Sequence, residues 1–194
     1  MLSEQRKDFL NKAIAAIYSR KFYAAYPEHP APAIYGETAD ADGKAAFEAA
    51  LNKPFTGLAQ SSTQHGGDEV SPYTGESLGI HYPLFTPTEL VEKASAVKRS
   101  WGKATADERA NVLLHSLELF KDNFFQIAYA TMHTTGQAYM MSFQASGPHA
   151  ADRALEAVAM GYEELNRFPS TTEWEKPMGK YSITLNKSWR AVPK

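Results

Sequence analysis

Two helix-start signals lie close together near the middle of the chain and constrain what this region can form. Thr86 is followed by Pro87 and then by Glu89, and Thr105 is followed three residues later by Glu108. In such a capping box, the threonine and glutamate side chains each accept a backbone N–H at the start of a helix, and proline suits the first helical position. The pattern predicts two helices joined by a short turn.

Apolar residues at helical spacing indicate further helices on both sides of this pair. On the helix after Thr105, the residues Ala110, Leu113, Leu117 and Phe120 form one apolar stripe, which Leu114 widens. The other helices are predicted over 3–25, 40–51, 124–134, 137–144 and 148–167, with Gly136 as a C-cap. Prolines and glycines in 26–37 and 52–67 indicate extended chain and a surface loop.

The period changes at the end of the chain. Tyr181, Ile183, Leu185 and Trp189 alternate with smaller polar residues, which is typical of a half-buried strand over 181–192. Such a strand needs a partner, either earlier in the chain or in another chain. Further short strands are predicted at about 69–83. The predicted fold class is therefore mainly α with a small β component.

Composition excludes several kinds of function. The 194 residues include no cysteine, which removes disulfides, thiolate metal sites and a cysteine nucleophile from this sequence. A net charge of −2 gives no basic surplus for nucleic acid or anionic lipid. The sequence has no run of about 18 apolar residues, and its charged N-terminus does not suit a secretory signal. A cytoplasmic location is expected.

The side chains that could carry chemistry do not form a convincing site. His133 and His149 have no acidic or cysteine partners at metal-ligand spacing, and the glycines do not form a phosphate loop. A Ser/His/Asp arrangement stays open, although residues 71–77, "SPYTGES", lack the strand-to-helix elbow of such nucleophiles. The residues alone therefore predict no catalytic, cofactor-binding or metal-binding site contained in this chain.

Several motifs occur in the order found in the N-terminal segment of aldehyde dehydrogenases, and together they resemble that superfamily. The motifs are "SPYTGESLG" at 71–79, "ELVEKASAVKRSW" at 89–101, Glu108, Arg109, Ala110 and Leu113 of an "ERAxxL" helix, "HTTGQ" at 133–137, and "WRAVPK" at 189–194. The resemblance implies the N-terminal helical part of that fold, with strands at about 69–83 and 181–192. It also identifies 1–194 as a single N-terminal domain.

Two further stretches closely resemble the PaaN branch of this superfamily, whose members are phenylacetic acid degradation proteins. They begin at "YPEHPAPAIYGE" and at "HTTGQAYMMSFQASGPH". On this resemblance, residues 1–67 are an N-terminal extension and 68–194 are the dehydrogenase-like segment. Gln137 stands where most members of the superfamily have lysine, and the resemblance to this branch accounts for it.

The resemblance implies that the catalytic and complete cofactor domains are absent from this chain. In the family, the catalytic cysteine, the glutamate base, the oxyanion-hole asparagine and the NAD(P) domain follow the "VPKG" motif. The parent enzyme is therefore expected to use NAD or NADP, whereas this chain is expected to bind no cofactor and to be inactive alone.

In the family, the helices around the "TGK" turn line the entrance of the substrate tunnel. The resemblance carries this role to six candidates in 137–154, which are Gln137, Tyr139, Met140, Phe143, His149 and Arg153. Arg153 is a candidate for pairing with an acidic or phosphate group of the substrate. The alternative for Arg153 is a surface ion pair with Glu156, three residues away on the same helix.

Three functional hypotheses follow. In the first, the chain is the N-terminal domain of an NAD(P)-dependent aldehyde dehydrogenase, and its partners are the remainder of that enzyme and a second copy. In the second, it is a helical binding or assembly module that pairs through strand 181–192. In the third, it is a hydrolase with a nucleophile other than cysteine. No nucleic acid or membrane partner is expected.

Overall fold

The computed structural model describes residues 2–191, and their fold is mainly helical, as the sequence predicts. The helices are α1 (Glu4–Ser19), α2 (Pro32–Tyr35), α3 (Ala39–Ala50), α4 (Pro87–Trp101), α5 (Ala106–Asp122), α6 (Phe124–Thr135), α7 (Tyr139–Ser146) and α8 (Pro148–Leu165). The strands are β1 (His65–Gly66), β2 (Tyr82–Pro83), β3 (Thr171–Met178) and β4 (Tyr181–Ser188). They form two separate antiparallel pairs, β1 with β2 and β3 with β4.

Both predicted capping boxes are present at the starts of α4 and α5. The Glu89 carboxylate accepts the N–H of Thr86 at 2.6 Å, and the Thr86 hydroxyl accepts the N–H of Glu89 at 3.3 Å. The predicted C-cap is also confirmed, because Gly136 ends α6 with a left-handed φ of 76°. The predicted starts of α4 and α5 and the predicted end of α6 are therefore confirmed.

The main core is shared between the N-terminal extension and the later helices. Buried side chains of 1–67 pack in one cluster with those of α5, α6, α7 and α8. At its centre, the fully buried rings of Phe124 and Phe143 meet edge to face, with centroids 6.3 Å apart. Tyr26 and Tyr35 of the extension pack against Phe124 at 5.8 and 6.2 Å. The extension is therefore part of the same hydrophobic core.

A charged contact ties α1 to α5. The Arg6 guanidinium donates to both carboxylate oxygens of Glu118, at 3.0 and 2.5 Å, and to the Asn111 side chain at 2.5 Å. The hydrogen bond from Arg6, followed by one from His115, lowers the pKa of Glu118 to about 2. Because Glu118 is half exposed, solvent screening limits the contribution of this pair to stability.

Three helix predictions need correction. The first helix ends at Ser19 instead of near residue 25, because Arg20 takes a left-handed φ of 57° and its N–H bonds back to Ile17. The region that was expected to be extended contains the single-turn helix α2, which starts at Pro32. On α5 the buried positions are Ala110, Leu114 and Leu117, whereas Leu113 is 41% exposed. The inward face of α5 is therefore rotated relative to the predicted stripe.

The strand predicted over 181–192 forms as β4, which ends at Ser188, and its last predicted position lies outside the described residues. Its partner is β3, which the sequence analysis did not identify because Lys176 interrupts the apolar series between Trp174 and Met178, and because Pro177 does not favour a strand. The prediction of a half-buried strand is wrong for the described residues, since every residue of both strands is exposed. The hairpin extends away from the core.

The apolar side chains of the hairpin nevertheless share one face. Trp174 is paired with Leu185, and Met178 is paired with Tyr181. Directly paired residues of antiparallel strands point to the same side, as do residues two positions apart on one strand. Ile183 therefore lies on this face too. The Lys187 ammonium covers part of it, 4.4 Å from the centre of the Trp174 ring.

The strands expected at about 69–83 are shorter than predicted. Only Tyr82–Pro83 forms a strand there, paired with His65–Gly66, and Val70 and Ser77 form one isolated bridge. Most of this segment is turn, with Gly75 at a φ of 71°. Within residues 2–191, no helix combines the length and apolar character needed to cross a membrane.

Candidate functional site

The six tunnel candidates occupy three different environments. Gln137 and Met140 are exposed at the turn from α6 to α7 and on α7 itself. Tyr139 is half-buried on α7, whereas Phe143 on the same helix is fully buried in the core. The remaining two candidates, His149 and Arg153, are exposed on the first turns of α8. The structure therefore does not place all six side chains on one surface.

The turn that carries Gln137 is held by the "SPYTGES" segment. The Tyr73 hydroxyl is 2.8 Å from the carbonyl oxygen of Gln137 and 3.2 Å from that of Gly136. Pro72 lies close enough to Gly136 that an added Cβ would be 3.2 Å from the proline ring. The "SPYTGES" motif is thus in direct contact with the turn at Gln137.

Ser71 and His133 form the arrangement closest to a nucleophile and its base. The Ser71 hydroxyl oxygen lies 2.7 Å from Nδ1 of His133, whose ring stacks on Phe47 at 5.0 Å. However, Ser71 is completely buried, and its hydroxyl also accepts the backbone N–H of Tyr73 at 3.2 Å. A substrate carbonyl therefore has no access to this oxygen. The pair fixes the turn to the end of α6, so His133 has a structural role that the sequence analysis missed.

Asp40, which the sequence analysis also missed, holds Tyr139. The hydroxyls of Tyr139 and Tyr129 both donate to Oδ1 of Asp40, the latter at 3.1 Å, and the two rings lie 4.9 Å apart. Burial, followed by the hydrogen bond to Asp40, raises the pKa of Tyr139. Tyr139 is therefore a neutral, positioned hydroxyl at the start of α7. No local pattern marks this contact, because α3 supplies the carboxylate.

His149 and Arg153 lie at a cleft between α1 and α8. The cleft has a volume of about 490 Å³ and adjoins a hollow of about 400 Å³. Residues common to both are Phe22, Tyr23, Asp152 and Arg153. Gln137, Tyr139 and Met140 do not line it. The structure thus joins two of the candidates with residues of the N-terminal extension, which sequence spacing did not indicate.

Several of the charged side chains around this cleft are paired within the protein. Nε2 of His149 is 2.7 Å from the Glu28 carboxylate, and the Arg153 guanidinium is 2.5 Å from Glu156, the surface pair given above as the alternative. The floor is Asp152, which is 8% exposed and accepts the N–H of Ala25 at 2.9 Å. The arrangement fixes the extension against α8 and offers no free base.

Burial raises the pKa of Asp152, although hydrogen bonds from the backbone N–H groups of Ala25 and Tyr26 act in the opposite direction. A raised folded-state pKa stabilises the fold at low pH, and this contribution is lost as pH rises through that pKa. We expect Asp152→Asn, which keeps an acceptor for Ala25, to become more stable relative to the wild type as pH rises from about 3 to about 7.

The check is the free energy of urea unfolding of both proteins across that pH range. Asp152→Ala serves as the control because it removes the same carboxyl and also the acceptor for Ala25, so it should be less stable than Asp152→Asn by about 1 kcal/mol or more at every pH. A difference between Asp152→Asn and the wild type that does not change with pH would contradict the raised pKa.

The described residues offer positioning groups and no complete catalytic apparatus. Residues 2–191 contain no group of three or more histidine, cysteine or acidic side chains that could hold a metal ion. The sequence has no cysteine, and the serine next to a histidine is inaccessible. The structure does provide an exposed turn at Gln137, which the Tyr73 hydroxyl holds through its backbone carbonyls, and a separate cleft lined by the extension.

Comparisons with known proteins identify a related enzyme. No family model matches the sequence, and a search of curated proteins found no match. The crystal structure of an NAD-dependent aldehyde dehydrogenase from Burkholderia multivorans is similar to this chain, with a TM-score of 0.93 and 44% sequence identity. The match covers 100% of this chain and 35% of that enzyme. This chain thus has the fold of one part of that aldehyde dehydrogenase and spans about a third of its length.

Proposed function

We propose that this chain is the N-terminal domain of an NAD(P)-dependent aldehyde or semialdehyde dehydrogenase. The observation that carries the proposal is the likeness to the Burkholderia multivorans enzyme, at 44% identity over the whole chain. The motifs shared with the PaaN branch extend the proposal to the degradation of phenylacetate or a related aromatic compound. In this proposal the domain contributes part of the substrate tunnel and of the subunit contacts, and it has no activity alone.

The absence of a cysteine nucleophile from this sequence agrees with the proposal that the domain has no activity alone. Oxidation of an aldehyde through a covalent thioester needs a thiolate nucleophile and oxyanion donors, and the nicotinamide accepts the hydride. This sequence has no cysteine to supply the thiolate. In the proposed enzyme, the nucleophile therefore belongs to residues outside this chain, and the proposal assigns the nucleotide site to those residues as well.

Within this domain, the turn around Gln137 is the proposed wall of the tunnel. Gln137 and Met140 present exposed side chains, and Tyr139 between them is held by Asp40. Phe143 would support this wall from the core. His149 and Arg153 face the separate cleft, where both are already paired, so they are weaker candidates for contact with substrate.

The hairpin of β3 and β4 is the proposed subunit contact. Its apolar face is exposed, and β4 carries a full set of backbone N–H donors, whereas Pro177 removes one from β3. Edge strands without such interruptions pair readily with other strands. The same exposed hairpin favours the second candidate function, a binding or assembly module without an attached enzyme.

Two measurements test the proposal. The first determines the coding sequence that follows the Lys194 codon, where a dehydrogenase domain with a cysteine nucleophile is expected in the same reading frame. The second compares that longer product with the 194-residue chain, using a panel of aromatic and aliphatic aldehydes with NAD and NADP. We expect turnover only for the longer product. A stop codon with no dehydrogenase domain, or turnover by the 194-residue chain, would contradict the proposal.

A further inference from the structure

The N-terminal extension reaches the turn of the proposed tunnel through one carboxylate. Oδ1 of Asp40, on the first turn of α3, accepts hydrogen bonds from the hydroxyls of Tyr139 and Tyr129, the latter at 3.1 Å. Tyr129 lies on α6 and Tyr139 on α7, so Asp40 joins the two helices on either side of the turn at Gln137. Hydrogen bonds to an ionised carboxylate are about twice as strong as those between neutral groups. Asp40 therefore holds both helices at this turn.

The position of this carboxylate is set by the packing of α3 against α6. Gly43, three residues after Asp40, lies so close to α6 that an added Cβ would be 2.8 Å from a backbone nitrogen of that helix. Further along α3, the buried ring of Phe47 stacks on His133 near the end of α6, with centroids 5.0 Å apart. Because α3 is packed against α6 at these two points, Asp40 holds the Tyr139 hydroxyl at a set position relative to α6.

The engaged hydroxyl determines what Tyr139 can offer to a substrate. A tyrosine has one phenolic proton, and Tyr139 donates it to Asp40. The half-buried ring of Tyr139 and the exposed side chain of Met140 then offer mainly apolar surface beside Gln137. At the entrance of the proposed tunnel, this surface would meet the part of an aldehyde that is remote from the reacting carbonyl. It therefore favours aldehydes whose remote part is apolar.

We propose that Asp40 is a positioning residue for the substrate, which shapes the tunnel entrance for aldehydes with a long apolar chain by holding Tyr129 and Tyr139. The inference rests on the proposed function and gives the N-terminal extension a part in substrate selection. Asp40 acts through Tyr139 and does not itself contact the substrate or the reacting atoms.

The test uses the full-length dehydrogenase, with hexanal and propanal as two aldehydes that differ only in chain length. Asp40→Ala should lower the ratio of kcat/KM for hexanal to kcat/KM for propanal by about fivefold or more, because only the longer chain loses an apolar contact. The change should lie in the KM for hexanal. The kcat and the KM for the nicotinamide cofactor should stay within about twofold of the wild type, since binding remote from the reacting carbonyl is affected.

Asp42→Ala is the matched control. Asp42 is exposed on the same first turn of α3, so both substitutions remove a carboxylate near the start of one helix. Asp42→Ala should leave the ratio unchanged. Asp40→Asn retains an acceptor oxygen and should give a ratio between those of the wild type and Asp40→Ala, because a hydrogen bond to a neutral acceptor is weaker. An equal loss for both aldehydes in Asp40→Ala, or an unchanged ratio, would overturn the inference.

Tyr139→Phe keeps the ring and removes the hydroxyl, so it tests the inference even if Asp40→Ala does not fold. It should lower the same ratio, and adding Asp40→Ala should change the ratio by only about a further twofold or less, as expected of two residues that act through one hydrogen bond. The wild-type ratio in Tyr139→Phe would count against the inference.

The activity of the unmodified enzyme separates this inference from the proposed function. A full-length protein without NAD(P)-linked aldehyde oxidation would argue against the proposed function, and the inference would fall with it. An active enzyme whose preference between hexanal and propanal does not depend on Asp40 would overturn the inference alone.

Discussion

Replacing Phe143 with alanine should lower the free energy of unfolding by about 3–5 kcal/mol, the usual range for removing a buried phenylalanine ring. Phe143 is fully buried, and its ring contacts those of Phe124, Phe125 and Tyr35 at 6.3, 4.9 and 5.6 Å. These neighbours belong to α6 and the N-terminal extension, so filling the cavity left on α7 would require both of them to move. Equilibrium unfolding in urea, followed by tryptophan fluorescence and circular dichroism, measures the loss.

The matched control is Met140→Ala on the same helix. Met140 is 44% exposed, so removing its side chain should change the free energy of unfolding by about 0.5 kcal/mol or less. Comparable losses for the two variants would show that α7 is not oriented as described, with Phe143 inward and Met140 outward.

Replacing Gly43 with alanine should destabilise the protein by about 1–3 kcal/mol, although alanine is the better helix former. Gly43 lies on α3 where this helix crosses α6. An added Cβ would be 2.3 Å from the Phe125 Cβ and 2.8 Å from the backbone nitrogen of Gln126. Because backbone atoms block the space, the two helices would have to separate.

Gly161→Ala is the control, because it is the same glycine-to-alanine change in a helix but is expected to stabilise the protein. Gly161 is on α8, and no atom outside its own helix turn lies within 4 Å of the position that an alanine methyl would take, so the substitution should stabilise by about 0.5–1 kcal/mol. Thermal and urea unfolding of both variants measure the two signs. A stabilising Gly43→Ala would mean that α3 and α6 do not approach as closely as described.

Local sequence patterns were sufficient to predict much of the helical fold. The capping boxes at Thr86 and Thr105 and the C-cap at Gly136 depend on contacts within a few residues, so the sequence predicted them correctly. Arg20 shows the limit, because arginine carries no preference for the left-handed conformation that ends α1 there. Strand β3 was not predicted for a related reason. Its own residues do not favour a strand, and it forms because it pairs with β4.

The candidate site was less accessible to sequence reasoning because its contacts join distant parts of the chain. Ser71 and His133 are 62 residues apart, and Asp40 and Tyr139 are 99 residues apart. The family resemblance brought attention to the turn after Gly136 but could not show which side chains face outward there. The approach of His149 to Glu28 likewise depends on how the extension folds back on α8.

The shared core has a consequence for how the chain can be cut. Residues 56–61 form an exposed loop without regular structure, which is the kind of segment that proteases cleave first. Tyr26 and Tyr35 on one side of that loop pack against Phe124 on the other. A single cleavage in the loop would therefore leave two peptides that stay associated, and they would separate only when the protein is denatured.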